Sequence, residues 1–182
     1  MKAFIAALFL ALSGVVQAGH FFSNTELLGV AFEVRSKNEG SINQLQIIAT
    51  NAGGKKHSQS SEILGTVTGV KLADLNGDGH PEVYVFYASA GSGSYGNVVA
   101  YSSNSGGTIT PIHMQELAGK WANGYMGHDV FDVVPSGLVR TFPLYQHGDT
   151  NAKPTGGFRQ IVYKLVKGEA AWQLVVETLK EW

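Results

Sequence analysis

Val83-Tyr84-Val85-Phe86-Tyr87-Ala88 is apolar at every position, so neither face of this segment belongs in water. A short run rich in β-branched and aromatic residues fits a strand. Two apolar faces require cover on both sides, which places that strand at the centre of a sheet rather than at its margin. Turn-forming residues bound it, Asp74–Pro81 on one side and Ser89–Gly96 on the other.

Working outward, period-two alternation recurs in short segments. Val30, Phe32 and Val34 alternate with Ala31 and Glu33, and Leu45, Ile47 and Ala49 with Gln46 and Ile48. Asn97–Ser102, Asp129–Val134, Leu138–Tyr145, Phe158–Leu165 and Trp172–Leu179 continue the series, and Val166–Glu169 reads as a tight hairpin turn. Helical periodicity is confined to Met114–Trp121, enough for one or two turns. Lys37–Gly40, Asn51–Ser61, Ser89–Gly96, Ser103–Gly107 and Gly148–Gly157 read as loops. The expectation is an all-β fold with little helix: a single antiparallel β-sandwich or flattened barrel of about eight to ten strands.

The N-terminus reads as a secretory leader, residues 1–18. Lys2 supplies a positive charge, Ala3–Leu12 is continuously apolar, and Val16-Gln17-Ala18 offers small residues for cleavage near Ala18. The apolar run falls short of the roughly 20 residues that a spanning helix needs. A single β domain is expected over residues 19–182. Without Lys2 the chain carries 12 basic against 14 acidic side chains, a formal charge of −2, which gives no reason to expect nucleic acid or an anionic membrane as a partner. The chain has no cysteine, which excludes disulfides, thiolate metal sites and Cys nucleophiles and leans towards a bacterial periplasm.

Four segments carry candidate chemistry. In Asp74-Leu75-Asn76-Gly77-Asp78-Gly79-His80-Pro81-Glu82, oxygen side chains at alternate positions precede glycines that permit a sharp turn. That is the ligand pattern of a calcium loop, with Asp74, Asn76, Asp78 and Glu82 as side-chain ligands and His80 giving its carbonyl. An EF-hand is excluded, since its twelfth position falls on Val85 and a strand follows. Asx turns that bind no ion have the same composition.

Ser89–Gly96 matches a dinucleotide-binding glycine pattern through Gly91, Gly93 and Gly96, but a strand follows where a helix is required. It reads better as a thin exposed loop whose reactive tips are Ser92, Ser94 and Tyr95. Phe142–Gln160 holds a loop longer than a hairpin needs, in which Arg159 could reach a carboxylate bidentately. His128-Asp129 invites a catalytic reading, yet no zinc-protease or nucleophile-elbow motif occurs and the six histidines lack ligand spacing. No enzymatic activity is therefore expected.

In order along the chain, Asp74–Tyr84 (DLNGDGHPEVY), Gly91–Gly96 (GSGSYG), Gly127-His128-Asp129, Leu138–Tyr145 (LVRTFPLY), Gly148–Gln160 (GDTNAKPTGGFRQ) and Tyr163–Trp172 (YKLVKGEAAW) resemble the periplasmic inhibitors of i-type (invertebrate) lysozymes, the PliI family. The resemblance extends over about Ala73–Trp182, with only the strand pattern shared before it. It implies a β-rich inhibitor of i-type lysozyme that plugs the active-site cleft with protruding loops. The contacts it implies are Ser92, Gly93, Ser94 and Tyr95 from one loop and Thr155, Gly156, Gly157 and Arg159 from a second. It requires no cofactor, leaves calcium open at the acidic loop, and allows a homodimer. The reading from another class is a calcium-dependent carbohydrate-binding or surface-adhesion module built on Asp74–Glu82.

Overall fold

In the computed structural model, which describes residues 19–182, the alternation becomes twelve strands. The leader, residues 1–18, lies outside the described residues. A first sheet is the meander β1 (Phe21–Leu27), β2 (Val30–Ser36), β3 (Asn43–Thr50) and β4 (Lys56–Ile63). The second sheet contains β5 (Thr66–Ala73), β6 (Glu82–Ala88), β7 (Gly96–Ser103), β8 (Ile109–Met114), β9 (Val130–Val134), β10 (Gly137–Pro143), β11 (Phe158–Lys167) and β12 (Trp172–Glu181). Its spatial order is β5-β6-β7-β8-β12-β11-β10-β9. The two outer strands of this sheet meet, bridged by Lys71 Nζ and Asp132 Oδ1 at 3.1 Å, so that it nearly closes into a barrel.

The central segment behaves as its composition requires. Val83 and Val85 point into a core shared with the first sheet, where Phe32, Val34, Leu45, Ile47 and Ile63 are buried. Tyr84 and Phe86 point into the barrel, against Leu138, Phe142, Ile161, Tyr163 and Leu174. One strand thus serves two cores, and both of its faces are removed from water.

The strand count exceeds the expected eight to ten for identifiable reasons. Lys56–Ile63, most of it within the expected loop Asn51–Ser61, is a strand whose outer face is polar and exposed and whose other face is only half-buried until Ile63. Such a segment shows no apolar alternation. In β5 the register shifts between Val67 and Gly69, which breaks the period. In β8, Pro111 interrupts the pattern, and two residue pairs with β12 (Gln173 with His113, Leu174 with Met114) are parallel. The all-antiparallel expectation fails at that junction alone among the described pairings. The helix expected over Met114–Trp121 is a single 3-10 turn, Gly119–Ala122.

Inside the barrel sits a charge. Arg140 on β10 is 6% exposed. Its Nε donates to Asp129 Oδ1 at 2.6 Å and its Nη2 to the Tyr125 hydroxyl oxygen at 2.6 Å, while that hydroxyl donates to Asp129 Oδ2 at 2.6 Å. The guanidinium carbon lies 4.9, 5.4 and 5.7 Å from the ring centroids of Tyr125, Phe131 and Phe142. Two charge-assisted hydrogen bonds from the guanidinium and three aromatic faces compensate its lost hydration. Burial and the bond to Asp129 raise the Tyr125 phenol above its ordinary value, so it stays a neutral donor.

Strand directions sort the connections into two ends. Ala88–Gly96, the β8–β9 connection, Pro143–Phe158 and the Glu181 end of β12 gather at one end. The Ala73–Glu82 loop and the β9–β10 and β11–β12 turns gather at the other. Removing the partner of a buried charge costs about 3–5 kcal/mol. Asp129→Ala is therefore expected to lower the unfolding free energy by about that amount, measured by urea denaturation followed by fluorescence.

Candidate functional site

The loop Ser89–Tyr95 crosses from β6 to β7 and is closed at its base by Ser89 N–H donating to Tyr95 O (2.9 Å) and Tyr95 N–H donating to Ser89 Oγ (3.0 Å). Within it, Ser94 N–H donates to Gly91 O at 2.9 Å, and Ser94 takes a left-handed φ of 44°. Ser92 is exposed and Tyr95 is 44% exposed, its ring standing edge-on to Tyr125 at 5.6 Å. Gly93 is small where it must be, because a Cβ there would run into the Tyr95 ring.

Two further segments, Gly127–Asp129 and the loop that holds Asn151, brace this loop. Asp129 Oδ2 accepts Gly96 N–H at 2.7 Å, so the carboxylate that neutralises Arg140 also fixes the loop's exit. His128 N–H donates to Gly93 O at 2.8 Å. Gly127 lies so close to that carbonyl, with φ +94°, that a Cβ would overlap it. Asn151, from the Gly148–Gly157 loop, donates from Nδ2 to Ser92 O at 2.6 Å, and its Oδ1 meets His128 Nε2 at 3.2 Å. Tyr145 in turn donates its hydroxyl to Asn151 O at 2.9 Å. The two sequence-nominated loops therefore touch and form one ridge.

The second loop is closed on itself. Asp149 accepts Gln146 N–H (2.7 Å), Thr155 N–H (2.8 Å) and the Thr155 hydroxyl (2.9 Å). These bonds, the one from Gln146 first, hold its carboxyl below the ordinary value. Thr155 is exposed at the loop edge. Gly156 N–H donates to Leu144 O at 2.9 Å, and Gly157 has φ +79° against the Trp182 carbonyl, leaving no room for a side chain at either position.

Arg159 departs from its expected role. It is 6% exposed, its Nε and Nη2 donate to Glu181 Oε1 at 2.9 and 2.6 Å, and its Nη1 donates to the carbonyls of Trp121 and Asn123 at 2.8 Å. The bidentate fork read from the sequence does engage a carboxylate, but one of its own chain. Arg159 secures the 3-10 turn segment to the sheet and does not face outward. The His128–Asp129 adjacency is likewise structural: Asp129 is consumed by Arg140, Tyr125 and Gly96, while the His128 ring faces Asn151.

The acidic loop lies at the opposite end of the barrel from the ridge. Asp78 N–H donates to Asp74 Oδ1 (3.1 Å) and Asn76 Oδ1 (3.0 Å), Gly79 N–H to Asp74 Oδ2 (3.0 Å), and His80 N–H to Asp78 Oδ1 (2.8 Å). Glu82 is fully buried, and Leu75 N–H donates to its Oε2 at 2.8 Å. Burial, with the charges of Asp74 and Asp78 nearby, pushes the Glu82 carboxyl up to about 7. Among the described residues no three His, Asp or Glu side chains are gathered as a finished metal site, and no helix is long and apolar enough to cross a membrane.

Sequence reasoning missed Tyr125, Arg140 and Asn151. Tyr125 and Asn151 are isolated polar residues in loops, and Arg140 is a charge in the middle of a strand. None carries a local pattern, and only their positions in space give them roles. The one available hint was Gly127-His128-Asp129, whose glycine precedes an Asp opening a strand.

The sequence model of a family described as periplasmic lysozyme inhibitor of I-type lysozyme matches residues 24–120. That span takes in the first sheet, which had shown likeness only in its strand pattern, together with the acidic loop and the Ser92–Tyr95 loop. No curated protein matches the chain. With a little over half of its 182 residues covered, including the exposed half of the ridge, the chain belongs to the PliI family, the periplasmic lysozyme inhibitors of I-type lysozyme.

Proposed function

We propose that this chain inhibits an i-type lysozyme by inserting the Ser92–Tyr95 loop into the enzyme's active-site cleft. The observation that carries the reading is the exposure of Ser92 and Tyr95 at the tip of a glycine loop braced by Asp129, His128 and Asn151. Glycosidase clefts hold paired carboxylates and bind sugar through hydrogen bonds. Hydroxyl groups of Ser92 and Tyr95 offer donors to those carboxylates, and Gly91 and Gly93 keep the loop slim enough to enter.

Bracing also lowers the cost of binding. A loop already held in its bound form loses less conformational entropy on association, and that saving appears directly as affinity. Thr155, Gly156 and Gly157 form the rim that extends the contact towards the roughly 1,200–2,000 Å² of a stable complex. Arg159 contributes indirectly, by anchoring Trp121 and Asn123 under the neighbouring connection. Export through the leader, with cleavage near Ala18, delivers the protein to the periplasm beside the peptidoglycan that such an enzyme attacks. Nothing in this mechanism requires a cofactor, a nucleic acid or a membrane, or catalysis by the chain itself.

Mature protein is expected to block peptidoglycan hydrolysis by an i-type lysozyme at about equimolar ratio. Turbidity assays run side by side with c-type and g-type enzymes test this, and undiminished hydrolysis by the i-type enzyme at large excess of the protein would refute it. Tyr95→Ala is expected to weaken binding by about 2 kcal/mol, a loss of about 30-fold in affinity, with an unaltered circular dichroism spectrum. Asn151→Ala frees the Ser92 carbonyl and should weaken binding by about 1 kcal/mol, within the cost of ordering one loop side chain. Titration calorimetry of both variants separates the tip from its brace.

A further inference from the structure

The acidic loop takes no part in the ridge and needs its own account. We propose that it is a calcium site, with the side chains of Asp74, Asn76 and Asp78, the His80 carbonyl and the Glu82 carboxylate as ligands. The loop wraps tightly, Gly77 and Gly79 taking φ of +71° and +81°. Asp74 and Asn76 oxygens both accept the same Asp78 N–H, so side-chain oxygens from alternate positions already lie near one another.

The independent observation is Glu82. Its residue is 0% exposed, and its Oε2 accepts the N–H of Leu75, which puts the carboxylate directly beneath the loop. Its other oxygen, Oε1, is buried without any hydrogen-bond partner. Among the described residues, no Lys, Arg or His forms an ion pair with Asp74, Asp78 or Glu82. A buried carboxylate with an orphaned oxygen, within electrostatic reach of Asp74 and Asp78, is costly to maintain. A divalent cation satisfies the orphan and neutralises the group together.

Five protein oxygens of mixed type on a short irregular loop suit calcium, which takes six to eight oxygens in flexible geometry, better than magnesium, which demands a near-ideal octahedron. Water completes the shell. The shell is not preassembled. The 3.0 Å bond from the Asn76 amide to Asp78 Oδ2 must break as Asp78 turns to the ion. Because the loop lies at the far end of the barrel, occupancy acts on stability and leaves the ridge in place.

Terbium supplies a direct probe, because the Tyr84 hydroxyl lies 3.5 Å from Glu82 Oε2 and can sensitise a bound lanthanide. Chelator-treated protein is expected to give tyrosine-excited terbium emission that calcium chloride displaces. Its Tm should rise by several degrees in millimolar calcium and fall again with chelator. Asp78→Ala, at an exposed position, should fold normally and lose both responses. A Tm indifferent to calcium, or emission that survives in Asp78→Ala, overturns the assignment.

Discussion

The guanidinium of Arg140, sealed in the barrel, can stay there only because Asp129 meets it at 2.6 Å with a second oxygen to spare for Tyr125 and Gly96. That carboxylate stands one residue ahead of β9, Arg140 in the middle of β10, and Gly96 at the start of β7. One carboxylate therefore ties the neighbouring strands β9 and β10 to β7, which is remote from them in the sheet order. It also sets where the Ser89–Tyr95 loop must leave the barrel, since a displaced Asp129 would release Gly96 N–H and strand Arg140 together. Burying such a pair costs desolvation that a hydrophobic substitute would avoid. What it provides here is direction: charge and hydrogen-bond geometry admit one arrangement of loop on barrel.

From that fixed base the ridge is built by small, mutually dependent contacts. His128 with φ 59° and Ser94 with φ 44° both hold a left-handed backbone that side-chain-bearing residues avoid. Ser94 follows Gly93 in the chain, and His128 N–H donates to the Gly93 carbonyl, where Gly127 leaves no space for a side chain. Strain of this kind persists when the surroundings over-determine it. Here the surroundings are named: Asp129 at the exit, His128 N–H on Gly93 and Asn151 on Ser92. The exposed tip is thus the least supported part of a well-supported loop, as the proposed insertion into a rigid cleft requires.

How far these features could be read from the sequence follows from how locally each is encoded. Val83–Ala88 was legible because two apolar faces admit few placements, and the structure gives each face its own core. The exposed Gly-Ser-Tyr loop was legible because glycine and hydroxyl residues between two strands have little else to do. Lys56–Ile63 was not, since a strand exposed on one face and half-buried on the other writes no alternation. The chemistry of Arg159 is legible in the sequence, but its direction is not. Its preference for a bidentate carboxylate held, but the carboxylate, Glu181, arrives from β12, 22 residues away, a pairing that only the β11–β12 register creates.

Strand register fixes the second loop as well. Gly156 and Gly157 pack their backbones against the carbonyls of Leu144 and Trp182, just beyond the ends of β10 and β12, so the loop's returning foot is fixed there, and Asp149 closes the loop on itself. What remains free to act is Asn151, whose amide reaches across to Ser92. The second loop is therefore better understood as a lever on the first than as an equal contact. The residues of the family match end at Lys120, before this lever begins. Variation in the length or composition of residues 146–157 would shift the pose of Ser92 and Tyr95 without touching either, because Asn151 holds the Ser92 carbonyl from across the ridge.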